Sequence, residues 1–338
     1  MTDLNSAGGP ASASVRVGAI DCGTNSIRLL VADISPEGGV SDVLRRMEVV
    51  RLGHGVDRTG RIEPAAMQRT LAQAREYAGQ CTDLGATAVR FVATSASRDA
   101  SNADEFVAGV REAFAAYSIV PEVISGDEEA ALSFRGATGD LRAAGIDGPY
   151  LVVDLGGGST EFVRGTDVVE SSLSTDIGCV RMTERHLHSD PPTRPEVDGA
   201  LFDIRAAVDA AARDVGFREV RTLVGLAGTV TTVTAYVKRL TAYDPVAIHL
   251  SVTPVDEVQQ ACSELVAMTR AGRAALPFMH PGRVDVIGAG ALIWSEVVGR
   301  VAADTQASRG GPAGRPLSVV TSEHDILDGI ALSAAERG

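Results

Sequence analysis

An apolar run, Tyr150–Leu155, carries an aspartate near its end and leads into three glycines and a serine, giving Asp154-Leu-Gly-Gly-Gly-Ser159. Each residue type suits phosphate chemistry. Asp154 offers hard oxygen to a divalent cation such as Mg2+ or Mn2+. Gly156, Gly157 and Gly158 let backbone N–H groups approach an anion and permit unusual φ/ψ. The Ser159 hydroxyl can donate to a phosphate oxygen. The same Asp-x-Gly-x-x-Ser pattern occurs earlier, as Asp21-Cys-Gly-Thr-Asn-Ser26. There Gly23, Thr24, Asn25 and Ser26 offer a second cradle. Glu161 and Arg28 each lie two residues past the serine, on the same face of the outgoing strand. Glu161 would support a metal or order water, and Arg28 would fork onto phosphate. The competing reading is a pair of tight hairpins without a ligand. Triple glycine weighs against it, being entropically costly in a plain turn.

Two common phosphate loops are excluded. A Walker A loop needs Gly-Lys-Ser/Thr, but the only lysine, Lys238, falls in a helical pattern. A dinucleotide fingerprint needs a third glycine opening a helix; Glu161 stands there, on a strand. A third acidic segment, Ser125-Gly-Asp-Glu-Glu-Ala130, places Asp127, Glu128 and Glu129 at a helix start. Read alone, it is favourable charge at a helix N-terminus; a general base is the other reading. Arg98 follows a strand in a Ser-rich turn and Arg181 opens a helix. Both are candidate phosphate ligands, although a lone surface arginine is more often a solvated charge. His324-Asp325 reads as a helix start.

The elements that must position these residues follow an α/β grammar. Three closely spaced strand-like runs, a helix, a strand, a second helix capped by Asn102, and a strand occupy the first half. The second half repeats the series from Tyr150. The repeat suggests two duplicated domains with a ligand cleft between them. Residues 1–14 read as a low-complexity tail and 307–316 as a solvated loop. The net charge of −13 disfavours nucleic acid as a partner, but leaves room for a small polyanion in a locally basic cleft. No apolar run reaches membrane-spanning length, the first residues do not read as a signal peptide, and the four cysteines are widely spaced. A reducing cytoplasm, no membrane and no zinc or disulfide framework are expected.

Asp21–Ser26, Thr94-Ser-Ala-Ser-Arg98, Ile124–Ala130, Asp154–Glu161 and Gly225-Leu-Ala-Gly-Thr229 occur in that order. Together they resemble the exopolyphosphatase / guanosine pentaphosphate phosphohydrolase family, from about Val15 to the C-terminus. Ser322–Ile330 resembles the short actinobacterial members, which have no C-terminal histidine–aspartate domain. The resemblance implies two actin-like (ribonuclease H-like) domains, over 15–126 and 127–324, with a closing helix at about 325–338 packing back on the first. It also implies a Mg2+- or Mn2+-dependent hydrolase with Glu129 as general base, Asp154 and Glu161 at the metal, and a homodimer. Implied partners are inorganic polyphosphate, including short chains, and guanosine penta- or tetraphosphate. Gly225–Thr229 matches the place where kinases of the same superfamily receive adenosine; here it is expected to be structural. An ATP-dependent kinase and a non-catalytic polyphosphate or alarmone sensor are the remaining readings.

Overall fold

The computed structural model describes residues 14–308 and 317–337. The expected tail therefore lies, apart from Ser14, outside the described residues. So does most of the expected loop, although the helix Ile287–Ser308 extends two residues into it. The chain is α/β and contains two sheets. In the first, β1 (Val15–Cys22), β2 (Ser26–Ile34) and β3 (Val40–Val49) form an antiparallel meander, and β4 (Ala88–Ala93) and β5 (Glu122–Val123) continue in parallel beyond β1. In the second, β6 (Tyr150–Leu155), β7 (Thr160–Gly165) and β8 (Val169–Thr175) repeat the meander. β9 (Thr222–Leu226) then runs parallel to β6. β10 (Ser251–Thr253) and β11 (Ser318–Thr321) complete the order β10-β11-β9-β6-β7-β8. Sequence reading missed β10, a three-residue edge strand with one buried side chain. Among the described residues no helix is long and apolar enough to cross a membrane.

Strand alternation decides where the two aspartates point. Along β6, Leu151, Val153 and Leu155 enter the main core, whereas Tyr150 and Val152 pack with Ala130, Phe134 and Ala137 of the helix Gly126–Ala143. Asp154 continues that second face. Along β1, Ile20 and Cys22 enter one core, whereas Val17 and Ala19 pack with Ile326, Ile330 and Ala331 of the closing helix Ile326–Arg337. Asp21 continues that face. Both aspartates thus face the layer made by these two helices.

The two helices exchange places. Gly126–Ala143 follows the first sheet in sequence but packs on β6, β7 and β8; the closing helix follows β11 but packs on β1, β2 and β4. They cross at glycines. A Cβ at Gly136 would stand 1.9 Å from the Asp325 carbonyl oxygen, and one at Gly329 would stand 2.1 Å from that of Leu132. The helix of Asn102 begins as expected, but its side chain does not cap it. It instead accepts from Ile62 N–H and donates to Ile62 C=O, because the buried loop there leaves both groups without a partner in regular structure.

The crossing yields a test. Gly136→Ala should lower unfolding stability by about 1–3 kcal/mol, with backbone rather than a flexible side chain in the way. Gly139→Ala, three residues along with nothing within 4 Å, should be neutral or stabilising. Urea denaturation of both variants makes the comparison.

Candidate functional site

The two Asp-x-Gly-x-x-Ser segments form matching hairpin turns. Gly23 N–H donates to Ser26 C=O at 2.9 Å, and Gly156 N–H donates to Ser159 C=O at 3.0 Å. None of Gly156, Gly157 and Gly158 has positive φ. The glycines serve close approach rather than unusual backbone: a Cβ at Gly158 would stand 2.4 Å from Ser95 Oγ and 2.7 Å from Thr24 Oγ1. The turns therefore touch. The second turn spends its carbonyls on the helix Cys179–His186, with Cys179 N–H bonded to Gly156 C=O and Val180 N–H to Gly157 C=O. The N–H groups of Gly157 and Gly158 have no acceptor among the described residues.

One cavity brings together Asp21, Gly23, Thr24, Asn25, Ser26, Arg28, Glu129, Asp154, Gly156, Gly157, Gly158 and Ser159. Arg98 and Glu161 stand behind its wall, and Arg181 lies outside it. Arg181 binds Gly158 C=O at 2.7 Å and pairs with Asp57 and Asp99, tying the glycine turn to the first half of the chain. From Gly225–Thr229, Thr229 lines the cavity, whereas Gly225 lies against Trp294. Ala227, also on the wall, has φ 68, a left-handed conformation unusual for alanine.

The registers of the hairpins expose a contrast. Asp21 pairs across β1/β2 with Arg28, and Asp154 pairs across β6/β7 with Glu161. One turn faces its aspartate with a cation; the other adds a second acid. Arg28 donates to Asp21 Oδ2 at 2.6 Å and also pairs with Asp325. Glu129 is held by Arg98 at 2.5 Å, and Arg98 also donates to Ile124 C=O. Its neighbour Glu128 turns away to Arg90. Ser125 caps this helix, accepting from Glu128 N–H. Asp154 accepts from Ser133 Oγ at 2.6 Å, and Glu161 from Ser174 Oγ at 2.8 Å.

Burial governs the carboxylates. Glu129 is pushed up to about 7, chiefly by desolvation, with Arg98 opposing and Asp154 adding to the rise. Asp154 is pushed up to about 6 by burial and then by Asp325. Glu161 is raised well above its ordinary value by burial, Glu129 and Asp154. Asp21 is also raised by burial, against the pull of Arg28. For Asp325, burial alone would raise the carboxyl, but Arg28 and the Leu327 N–H outweigh it and hold it low.

Sequence reading missed three participants. Asp325 is a helix start, as expected, since Leu327 N–H bonds its Oδ1; its other oxygen faces Arg28 in the cleft. Ser133 lies two turns into its helix, where no motif marks it. Arg283 lines the cavity and, among the described residues, makes no ion pair. Among the described residues its guanidinium donates only to Thr232 Oγ1, at 3.4 Å. The donor set fits a hard divalent cation: carboxylates gathered with too few arginines, all oxygen ligands, and a buried Thr24 Oγ1 without a partner. Asp154 lines the cavity with this chemistry, and Glu161 stands behind it.

A sign follows for stability. A carboxyl raised on folding contributes stability at low pH that is lost as pH climbs through its folded value. Without divalent cations, Tm should fall between about pH 5 and pH 8, spanning the values of Asp154 and Glu129. Asp154→Asn, which keeps shape and an acceptor for Ser133, should raise Tm at pH 8 by about 2–6 °C and flatten the fall. An unchanged slope by thermal scanning would contradict the charge assignment.

Comparison with known proteins agrees with this geometry. The family model described as "Ppx/GppA phosphatase family" matches residues 30–307. The chain is 51% identical to Exopolyphosphatase 2 of Mycobacterium tuberculosis over 96% of this chain and 99% of that protein. Among solved structures, an exopolyphosphatase-like protein matches with TM-score 0.89 and 43% identity, over 96% of this chain and 99% of that one. The Aquifex aeolicus Ppx/GppA family member matches with TM-score 0.76 and 28% identity, over 96% and 98%. The fold is thus the actin-like two-domain fold of these proteins, and the chain belongs to the Ppx/GppA phosphatase family.

Proposed function

We propose that this protein is an exopolyphosphatase that hydrolyses the terminal phosphoanhydride of linear inorganic polyphosphate, with a divalent cation as cofactor. The observation that carries this reading is the meeting of both phosphate-cradling turns with Glu129 in one cavity. The name of the Mycobacterium tuberculosis relative points the same way.

In this mechanism the terminal phosphoryl group lies between the turns, with the free N–H groups of Gly157 and Gly158 and the hydroxyls of Thr24, Ser26 and Ser159 on its oxygens. Arg98 fixes the Glu129 carboxylate, which accepts a proton from water in line with the scissile bond. The water oxygen bonds to the terminal phosphorus as the bridging P–O bond breaks. The shortened chain leaves as the anion and inorganic phosphate is the second product. A value near 7 suits a base working near neutral pH. A bound Mg2+ or Mn2+ would supply charge neutralisation on the phosphoryl oxygens; Asp154, with Glu161 behind it, would hold it. Arg28 is spent on two aspartates, so Arg283 is the cation left to meet the chain beyond the reacting phosphate.

Guanosine pentaphosphate is the second reading. A cavity of about 460 Å³ adjoins the cleft, sharing Arg28, Met47 and Arg283 with it, and adds Tyr243, Phe278 and Met279. Its mixed arginine and apolar walls would suit a nucleoside.

Phosphate release from defined polyphosphates and from guanosine pentaphosphate tests both. Polyphosphate should give the higher kcat/KM, EDTA should abolish release, and Glu129→Ala should lower kcat by about 10²–10⁴-fold. Equal rates in wild type and Glu129→Ala would remove the base; no release from polyphosphate would remove the substrate.

A further inference from the structure

A second group of ligating side chains lies outside the cleft. Asp140 sits near the C-terminal end of the helix Gly126–Ala143, His249 follows the short helix Pro245–Ile248, and His324 precedes Asp325. Asp140 Oδ2 is 2.5 Å from His324 Nδ1 and 3.4 Å from His249 Nε2. The imidazole centroids are 4.6 Å apart. One ligand atom from each of the three residues lies within 4.8 Å of the other two, and all three residues are half-buried. Two imidazole nitrogens and one carboxylate oxygen make a borderline donor set with open positions, suited to Zn2+, Co2+ or Ni2+ and not to Mg2+, which favours oxygen throughout.

We propose that Asp140, His249 and His324 form a transition-metal site of the Zn2+ class that clamps the helix bearing Glu129 to the segment bearing Asp325. As an arrangement for ion pairing alone, the cluster is poor, because two imidazoles tilted 38° to one another share one half-exposed carboxylate and would repel if both carried charge. Burial and His324 hold His249 below its ordinary value, leaving it neutral and able to ligate. Glu323 N–H donates to His249 Nδ1 at 3.2 Å, which puts the imidazole proton on Nε2. Loading displaces that proton from Nε2, and the ring then carries its proton on Nδ1. That costs the single long bond to Glu323 N–H. Metal binding is thereby coupled to Glu323–Asp325, the segment whose Asp325 holds Arg28 in the cleft.

The test uses the intact protein in excess Mg2+, so that the oxygen-donor cleft is not the site measured. Calorimetric titration with Zn2+ should give one equivalent per chain, and Co2+ should give visible d–d absorption. His249→Ala and His324→Ala should each weaken Zn2+ at least about tenfold, with His188→Ala unchanged. Asp140→Asn, a near-isosteric change at a half-exposed position, must show the same loss, and serves if a histidine variant folds poorly by circular dichroism. Absence of Zn2+ binding by wild type, or wild-type binding by the His249→Ala/His324→Ala double variant, would overturn the proposal.

Discussion

Charge burial is the constraint on which the rest of this structure depends. Asp21, Glu129, Asp154 and Glu161 are each less than a tenth exposed. Isolated carboxylates in such surroundings would cost several kcal/mol each if ionised. The protein answers unevenly. Arg28 and Arg98 neutralise one side, and serine hydroxyls satisfy single oxygens of Asp154 and Glu161. The remaining deficit of positive charge is met by holding protons, which is why all four are raised, Glu129 to about 7 and Asp154 to about 6. Under the proposed function, a cleft holding carboxylates in this form would be prepared for a cation arriving with its anionic substrate.

The helix exchange explains how two separate sheets hold that charge in one place. Each aspartate lies on the strand face that packs on one of the two exchanged helices, and the helices bring Glu129, Ser133 and Asp325 to the same layer. Glycines at the crossing let the helix backbones meet directly. Glycines at the second turn let it close on Thr24 and Ser95. Small residues thus set the separation of the two halves, and the polar groups inherit their geometry from it.

Much of this was legible in the sequence. The paired Asp-x-Gly-x-x-Ser turns, the meander before each parallel strand and the acidic helix start all carry local signals, and the structure gathers those residues in one cavity. What was hidden depended on tertiary contacts. Asp325 looks like a helix cap because it is one; only the packing of the closing helix on β1 shows its second role. Arg283 is one of many arginines until its neighbours prove to be committed elsewhere. His249 and Asp140 are far from His324 in sequence, so their cluster exists only after folding. Asn102 kept its place at a helix start but gave its side chain to Ile62, a loop need that no capping pattern encodes.

Under the proposed function, the buried carboxylates retain protons until a divalent cation displaces them. Calorimetric titration of the protein with Mg2+ in two buffers of different ionisation enthalpy measures this directly. The account predicts net proton release on binding, clear near pH 6 and smaller by about pH 8, where Asp154 and Glu129 have already lost their protons. Binding without proton release across that range would contradict it.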